Sequence, residues 1–339
     1  MDLEGGLPQP AFHLDNDFSH LFVGETLIAV ETLNIDAASY AQMEEEGRGE
    51  GVWEHALATF VGRRVLRTVW ERGKAHNLVT GSGGMLLGRV VQNAGRPGPA
   101  LEAGSRIATL ASLSLTPLRI DRVMGVRPRS CQVDVVGEAL VFASAPLARL
   151  PVDLPERLAL AILDVAGAAP QVARLVRPGS RVVILGAGGK SGILCSAEAR
   201  RKGGPGAVLV GVESHPPAAD ELRQLGLCDH VLDIDARDAL AVRHGVLEVT
   251  GGYEADLALS CVNVNDAEMS AILVTRPRGV AYFFAMSTSF PKAALGAEGV
   301  GKDIDLFVGN GYAEGHADHT LDLVRSMPAI RALFERRYA

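Results

Sequence analysis

Apolar residues in the later part of the chain fall into short, nearly unbroken runs: Arg181–Leu185, Ala207–Val212, His230–Leu232, Asp256–Cys261, Gly279–Ala285 and Ile304–Val308. Between them, Ser191–Lys202, Ala218–Leu225 and Asp266–Thr275 carry apolar residues at helical spacing. A strand apolar on both sides must be covered on both faces, and helical connections supply the cover, so the alternation predicts a parallel sheet. Six such strands are what a doubly wound dinucleotide-binding fold needs. The earlier part reads differently. Short β-favouring runs at Glu25–Val30, Met85–Val91, Arg106–Leu110 and Cys131–Val136 are broken by turn residues, as in Asn93-Ala94-Gly95-Arg96-Pro97-Gly98-Pro99, which predicts a small, mostly β domain. Leu150-Pro151-Val152-Asp153-Leu154-Pro155 reads as a linker, because each proline turns its predecessor away from helix. Glu156–Gly167 then resumes helical spacing. The 339 residues thus divide into a domain over 1–150 and a second over 151–339, near the usual length of about 150 residues each.

Composition narrows the function classes. Hydrophobic residues at 47% and charged residues at 22% are ordinary for globular cores. A net charge of −7 argues against nucleic acid or an anionic membrane as partner. No run of about 18 apolar residues occurs, and Met1-Asp2-Leu3-Glu4 is acidic where a signal peptide is basic. The four cysteines, Cys131, Cys195, Cys228 and Cys261, lack the paired spacing of a zinc or redox motif. A soluble cytoplasmic protein is expected.

The strongest chemical signal is the turn after the first apolar run: Val183-Ile184-Leu185-Gly186-Ala187-Gly188-Gly189-Lys190-Ser191-Gly192. A helix N-terminus offers free N–H groups and a positive dipole end to a pyrophosphate, and glycines let the backbone approach it. Ser191 stands where G-x-G-x-x-G would place its third glycine, whereas G-x-x-G-x-x-G over Gly186, Gly189 and Gly192 fits. Gly189-Lys190-Ser191 also resembles the end of a P-loop, but that motif needs a glycine where Ile184 stands. The position between strand and helix decides for a dinucleotide. Glu213 ends the second run, 21 residues after Gly192, where an acidic residue bonds the adenosine ribose hydroxyls and repels a 2′-phosphate. NAD is therefore expected over NADP; Ser214 and His215 beside it keep dual use open.

The two halves together resemble a medium-chain dehydrogenase/reductase. More narrowly, the chain is similar to the L-erythro-3,5-diaminohexanoate dehydrogenases of lysine fermentation. The strings that carry this are Leu7-Pro8-Gln9-Pro10, Thr32-Leu33-Asn34-Ile35-Asp36, His76 to Met85, Ala108 to Leu118, Leu163 to Ala168, the glycine turn with Lys190-Ser191, and Ala293 to Asn310. The resemblance implies a GroES-like catalytic domain before the Rossmann domain, and NAD(P)-dependent oxidative deamination of the C3 amine to 5-amino-3-oxohexanoate and ammonia. Zinc-dependent members carry a Cys in the first catalytic loop and a Gly-His-Glu string further on. Here Asn34-Ile35-Asp36 and Thr80-Gly81-Ser82-Gly83-Gly84 replace them, so no catalytic metal is expected. After Ile304–Val308 one helix-like stretch remains, without the return strands usual in this superfamily. Relatives pair through the edge strand of the cofactor sheet, which points to a homo-oligomer, with 280–284 or 304–308 as the edge.

Without a metal, amine oxidation needs a base to take the ammonium proton and to activate water. Asp36 is the first candidate, from the loop that holds a zinc ligand in relatives; its bland reading is a turn-capping residue. Glu44, in the charge run Glu44-Glu45-Glu46, is a second carboxylate, though such a run more often marks a solvated helix face. His76 and Asn77 are able to bind carboxylate or relay a proton, and Thr80 and Ser82 offer hydroxyls. Cys261, Asn263, Met286, Ser287 and Thr288 follow strands at their C-terminal ends, where ligands sit in such sheets, and are assigned to the nicotinamide end. Two other functions share these features: a zinc-free alcohol, quinone or enoyl reductase, and a non-catalytic NAD(H)-binding protein.

Overall fold

The computed structural model describes residues 8–96, 101–309 and 311–338. Pro97 to Pro99 of the expected turn, and Leu7 and Asn310 of the family strings, lie outside them. The chain forms two compact units: one runs to Asp164 and takes back the chain from Glu335, and the other is Val165–Phe334.

The first unit is built on an antiparallel six-stranded sheet, in the order β4-β5-β1-β2-β3-β6. Its strands are β1 (Thr26–Asn34), β2 (Met85–Asn93), β3 (Arg106–Thr109), β4 (Leu118–Arg127), β5 (Gln132–Val141) and β6 (Leu147–Arg149). The β-favouring runs do not announce α1 (Ala37–Gly49) or α2 (Leu57–Arg72). Helix α2 is held by an apolar stripe, Leu57, Val61, Val65 and Val69, at four-residue spacing. Burying each of these side chains contributes about 1.5–3 kcal/mol. Val61, Val65 and Val69 join Ile28, Leu33, Leu86 and Val133 in one core, and Leu57 is buried too. Register then brings two loops together. Asn34 at the end of β1 pairs with Met85 at the start of β2, so Asp36 and the loop before Met85 emerge side by side. At Gly84 (φ +72°) a Cβ would lie 2.2 Å from the Asn34 carbonyl oxygen, so only glycine allows this approach.

The second unit holds the parallel sheet, ordered β12-β11-β10-β7-β8-β9. Its strands are β7 (Arg181–Leu185), β8 (Val208–Val212), β9 (His230–Leu232), β10 (Ala255–Ser260), β11 (Thr275–Phe283) and β12 (Asp305–Val308). Read outward from β7 in both directions, this is the doubly wound, Rossmann arrangement, with the switch point between β7 and β10. The helices are α3 (Glu156–Leu163), which belongs to the first unit, then α4 (Ala168–Leu175), α5 (Lys190–Gly203), α6 (Pro216–Leu225), α7 (Ala239–Val249), α8 (Glu268–Val274), α9 (Phe290–Gly299), α10 (His316–Ser326) and α11 (Pro328–Tyr338).

Several expectations need correcting. The stretch expected as one helix over 156–167 ends at Leu163, and α4 is a separate helix. Strand β11 begins at Thr275, four residues before the expected Gly279. Two helices, not one, follow β12, because Pro328 has no N–H to continue α10 and starts α11 instead. Residues 280–284 do not offer a sheet edge, since β11 pairs with both β10 and β12. Of the two stretches, 304–308 supplies an edge strand, β12, and Leu306, Phe307 and Val308 on it are exposed. Among the described residues, no single helix is long and apolar enough to cross a membrane.

Candidate active site

The glycine turn sits at the switch point of the parallel sheet. Gly186 leaves β7 at φ +72°, and a Cβ there would lie 2.9 Å from Val262 Cα, just beyond β10. A Cβ on Gly192 would stand 2.2 Å from the Gly186 carbonyl oxygen, and one on Gly188 would lie 2.8 Å from Ala218 Cβ and 2.9 Å from Glu213 Oε2. Gly189 caps α5, has no side chain to satisfy the first helical amides, and has open space around it, with Gly186 O at 3.5 Å its nearest neighbour. The steric demand therefore falls on Gly186, Gly188 and Gly192, while Gly189, Lys190 and Ser191 form the helix entrance. Glu213 is fixed by two backbone donors, Gly188 N–H to Oε2 and His215 N–H to Oε1, each at 3.0 Å. That leaves its remaining lone pairs for hydroxyl donors.

A cavity of about 340 Å³ opens beside the turn, lined by Gly186, Glu213, Ser214, Asp235, Arg237 and Val262 among others. A backbone cradle that no Cβ fits, next to a cavity faced by a fixed carboxylate, suits a dinucleotide's pyrophosphate and adenosine ribose. Sequence reading missed Asp235 and Arg237. Their paired guanidinium and carboxylate contacts hold Asp235 down to about 2, and their place beyond the third strand of the sheet was the signal available.

At the other strand ends, the assigned residues divide. Asn263 and Met286 are exposed, and the Ser287 hydroxyl donates to the Val262 carbonyl at 3.1 Å, tying the ends of β10 and β11 together. Thr288 is half-buried, with its N–H on the Ala285 carbonyl. Cys261 is buried, and its thiol meets Cys195 at 3.9 Å inside the core, away from any open surface.

In the first unit, the paired loops and the two helices enclose a pocket with about 680 Å³ of empty space. Ser39 and Gln42 line it from α1, Arg64, Thr68, Glu71 and Arg72 from α2, and His76, Asn77, Ser82 and Gly83 from the loop. Asn77 organises that loop. Its Oδ1 accepts from the Val79 and Thr80 amides at 2.8 and 3.1 Å, and its Nδ2 donates to Gln42 Oε1 at 2.8 Å. Thr80 Oγ1 lies 2.5 Å from Ser39 Oγ and accepts from the Ser82 amide, while Ser82 Oγ accepts from the Gly84 amide. Asn77, Thr80 and Ser82 are thus spent on loop geometry.

His76 is different. Its Nδ1 is buried without a hydrogen-bond partner. Burial first, then the positive charges of Arg72 and Lys74, pull its pKa below the ordinary histidine value, so the ring is neutral at pH 7. Asp36 caps α1, its Oδ1 accepting from the Ser39 amide at 2.8 Å, while Oδ2 is buried without a partner; it is not among the pocket-lining residues. Glu44 lies outside the pocket too, paired with Arg48 at 3.7 Å, and with burial it pushes the Tyr40 hydroxyl well above its usual range.

Residues 1–151 match the family described as the L-erythro-3,5-diaminohexanoate dehydrogenase N-terminal domain. L-erythro-3,5-diaminohexanoate dehydrogenase of Acetoanaerobium sticklandii is 45% identical over 338 residues, covering 99% of this chain and 96% of the relative. The chain belongs to this family. The Fusobacterium nucleatum member is 46% identical, over 98% of this chain and 95% of its own. Among solved structures, a mycobacterial protein complexed with NADPH aligns with TM-score 0.59 at 16% identity, over 98% of this chain and 95% of that one. That likeness establishes a shared fold, and the family supplies the narrower kinship.

Proposed function

We propose that this chain is an NAD-dependent amine dehydrogenase that deaminates L-erythro-3,5-diaminohexanoate to 5-amino-3-oxohexanoate. The observation that carries this reading is 45–46% identity, over nearly the whole length, to two enzymes named for that substrate. Gly186, Gly188, Gly192 and the start of α5 are assigned to the pyrophosphate, and Glu213 to the adenosine ribose, where its charge favours NAD over NADP. A nicotinamide dinucleotide held there would supply the hydride acceptor for oxidation at C3.

The chain's own residues supply the proton chemistry. The C3 amine must be neutral to release hydride, so its ammonium form first loses a proton. Neutral His76, a pocket-lining residue whose Nδ1 has no hydrogen-bond partner, is the group we assign to take it. Water then adds to the C3 iminium, and collapse expels the nitrogen. In sum, one ammonium substrate, one NAD⁺ and one water give ketone, NADH, ammonium and one proton. Asp36 is assigned to the α1 cap rather than to this step. No metal is assigned, because Asn34-Ile35-Asp36 and Thr80-Gly81-Ser82-Gly83-Gly84, which stand where zinc-dependent superfamily members carry Cys and His, offer a carboxylate and hydroxyls instead. Pairing of two copies along the exposed apolar edge of β12 is part of the same reading.

The test is NADH formation from 3,5-diaminohexanoate, beside simple alcohols and enones, with a chelator present. Turnover of the diamine alone, unaffected by chelation, is expected. Turnover confined to alcohols or enones, no turnover at all, or loss of activity with one zinc per chain removed, would each overturn it.

A further inference from the structure

Two arginines on α2 line the pocket of the first unit, and only one is neutralised. Arg64 Nε meets Glu46 at 3.1 Å. Arg72 has no carboxylate partner among the described residues: its Nε donates to the Phe12 carbonyl at 3.2 Å and its plane stacks on the Phe12 ring, 4.6 Å from the centroid. Its Nη1 is buried with no hydrogen-bond partner. Arg72 as a whole is half-buried, but a buried N–H donor left unpaired on a charged group is costly, and an acceptor that arrives with a ligand would satisfy it.

The surroundings point to the sign of that ligand. Lys74, two residues on, is buried with its ammonium on the carbonyls of Pro8 (3.0 Å) and Gln9 (3.5 Å), again without a carboxylate. The charge of Arg72 adds to burial in lowering the pKa of both Lys74 and His76, so this end of the pocket carries uncompensated positive charge. Glu71, also lining the pocket, is neutralised by Arg67 at 2.7 Å, as Arg64 is by Glu46. This end of the pocket therefore suits an anion.

We propose that Arg72 is the carboxylate anchor of the substrate pocket, selecting β-amino carboxylates over simple amines. A guanidinium presents parallel N–H groups that match a carboxylate's two oxygens. Buried Nη1 supplies a donor already stripped of water and aimed by the Phe12 stack. The site rests on the deaminase reading above and names what holds the end of the substrate away from the reacting amine.

The test compares kcat/KM for 3,5-diaminohexanoate with that for pentane-2,4-diamine of matching configuration, which lacks only the carboxylate. Wild type favours the carboxylated compound. Arg72→Gln lowers that preference about 10- to 100-fold, the size of one charge-assisted hydrogen bond, chiefly through KM. Arg72→Lys, which keeps the charge but not the fork, falls between. A tether for the Phe12 segment alone would lower both activities together and leave their ratio unchanged, which overturns the proposal. If Arg72→Gln does not fold, the ratio measured on Arg72→Lys, expected below that of wild type, decides instead, and a wild type that treats the two compounds alike overturns the site on its own. Failure of wild type to turn over diaminohexanoate at all would instead sink the deaminase reading.

Discussion

The two units build their sites by opposite means. In the parallel-sheet unit, backbone does the work: the crowded glycines leave no room for a Cβ, and both Glu213 oxygens are fixed by main-chain N–H groups. In the antiparallel unit, loop side chains satisfy one another around Asn77, and a few groups, His76 Nδ1 and Arg72 Nη1, are left over. On the function proposed above, a cofactor shared by many enzymes would be met by geometry that side-chain change barely touches, and a particular substrate by what the fold leaves unpaired. Substitutions in the first unit should thus act on rate and selectivity, and those in the second on binding.

The largest effect is expected at Gly192. A methyl there would lie 2.2 Å from Gly186 O and 2.7 Å from Ala187 Cα, both backbone atoms that no rotamer change can move. Overpacking of this kind costs about 1–3 kcal/mol or more. Gly192→Ala should lower the melting temperature and remove NAD binding in titrations, whereas Gly189→Ala, with its nearest neighbour at 3.5 Å, should do neither. Equal behaviour of the two variants would show that helix entry, not close approach, sets the need for glycine.

Next comes His76. His76→Gln should cut deamination about 10²- to 10⁴-fold, the usual worth of a general base, with NAD titration unchanged. The pH dependence follows from the lowered pKa. The base works when neutral, so the acid limb of kcat/KM should lie below the ordinary histidine value of 6.5. Because the folded state resists protonation more than the unfolded one, His76 also erodes stability as pH falls below that value. Arg72 and Lys74 both disfavour the imidazolium, so Arg72→Gln should move the acid limb upward. A limb that stays put in that variant would separate His76 from the rate.

What the sequence made legible follows the same division. All six parallel strands are legible, because strands such as β7 and β10 are buried on both faces and read as unbroken apolar runs. Helix α2 was missed because its stripe of one apolar residue per turn is interleaved with Arg63, Arg64 and Arg67, inside a region whose other runs favour strand. Strand β4 was missed for a related reason: Arg119, Asp121 and Arg122 break its alternation, and bulges shift its register against β5. In the site, the string from His76 to Ser82 was visible as polar residues in a β-rich region. That Asn77 and Thr80 would consume their hydrogen bonds locally, and that Arg72 would find no carboxylate, are facts of three-dimensional partnership that no spacing encodes.

A smaller effect is expected at Glu213. Glu213→Gln keeps the shape and an acceptor but removes the charge that faces a 2′-phosphate. The NAD/NADP ratio of specificity constants should fall about tenfold, roughly 1.4 kcal/mol. An unchanged ratio would move cofactor choice to Ser214 or to Arg237, which shares the cavity.

The smallest effect is expected at Asp36, and it tests the comparison most directly. Its Oδ1 accepts the Ser39 amide at 2.8 Å, which makes it the N-cap of α1. Asparagine caps about as well as aspartate, so Asp36→Asn should change stability by little, while Asp36→Ala should lose about 0.5–2 kcal/mol. If capping is its whole task, Asp36→Asn should deaminate within about threefold of wild type, below the range for a lost base. The competing possibility is concrete, because Oδ2 is buried without a partner and stands next to the loop that carries His76. Were Oδ2 the proton acceptor, or the group that holds a substrate ammonium, the amide would keep the helix and still lose turnover about 10²-fold or more. Melting curves for both variants separate the cap from the chemistry, and steady-state deamination of Asp36→Asn then decides. A folded, slow Asp36→Asn enzyme would move the base from the His76 loop to the turn after β1, and would make His76 a group that shapes the pocket around it.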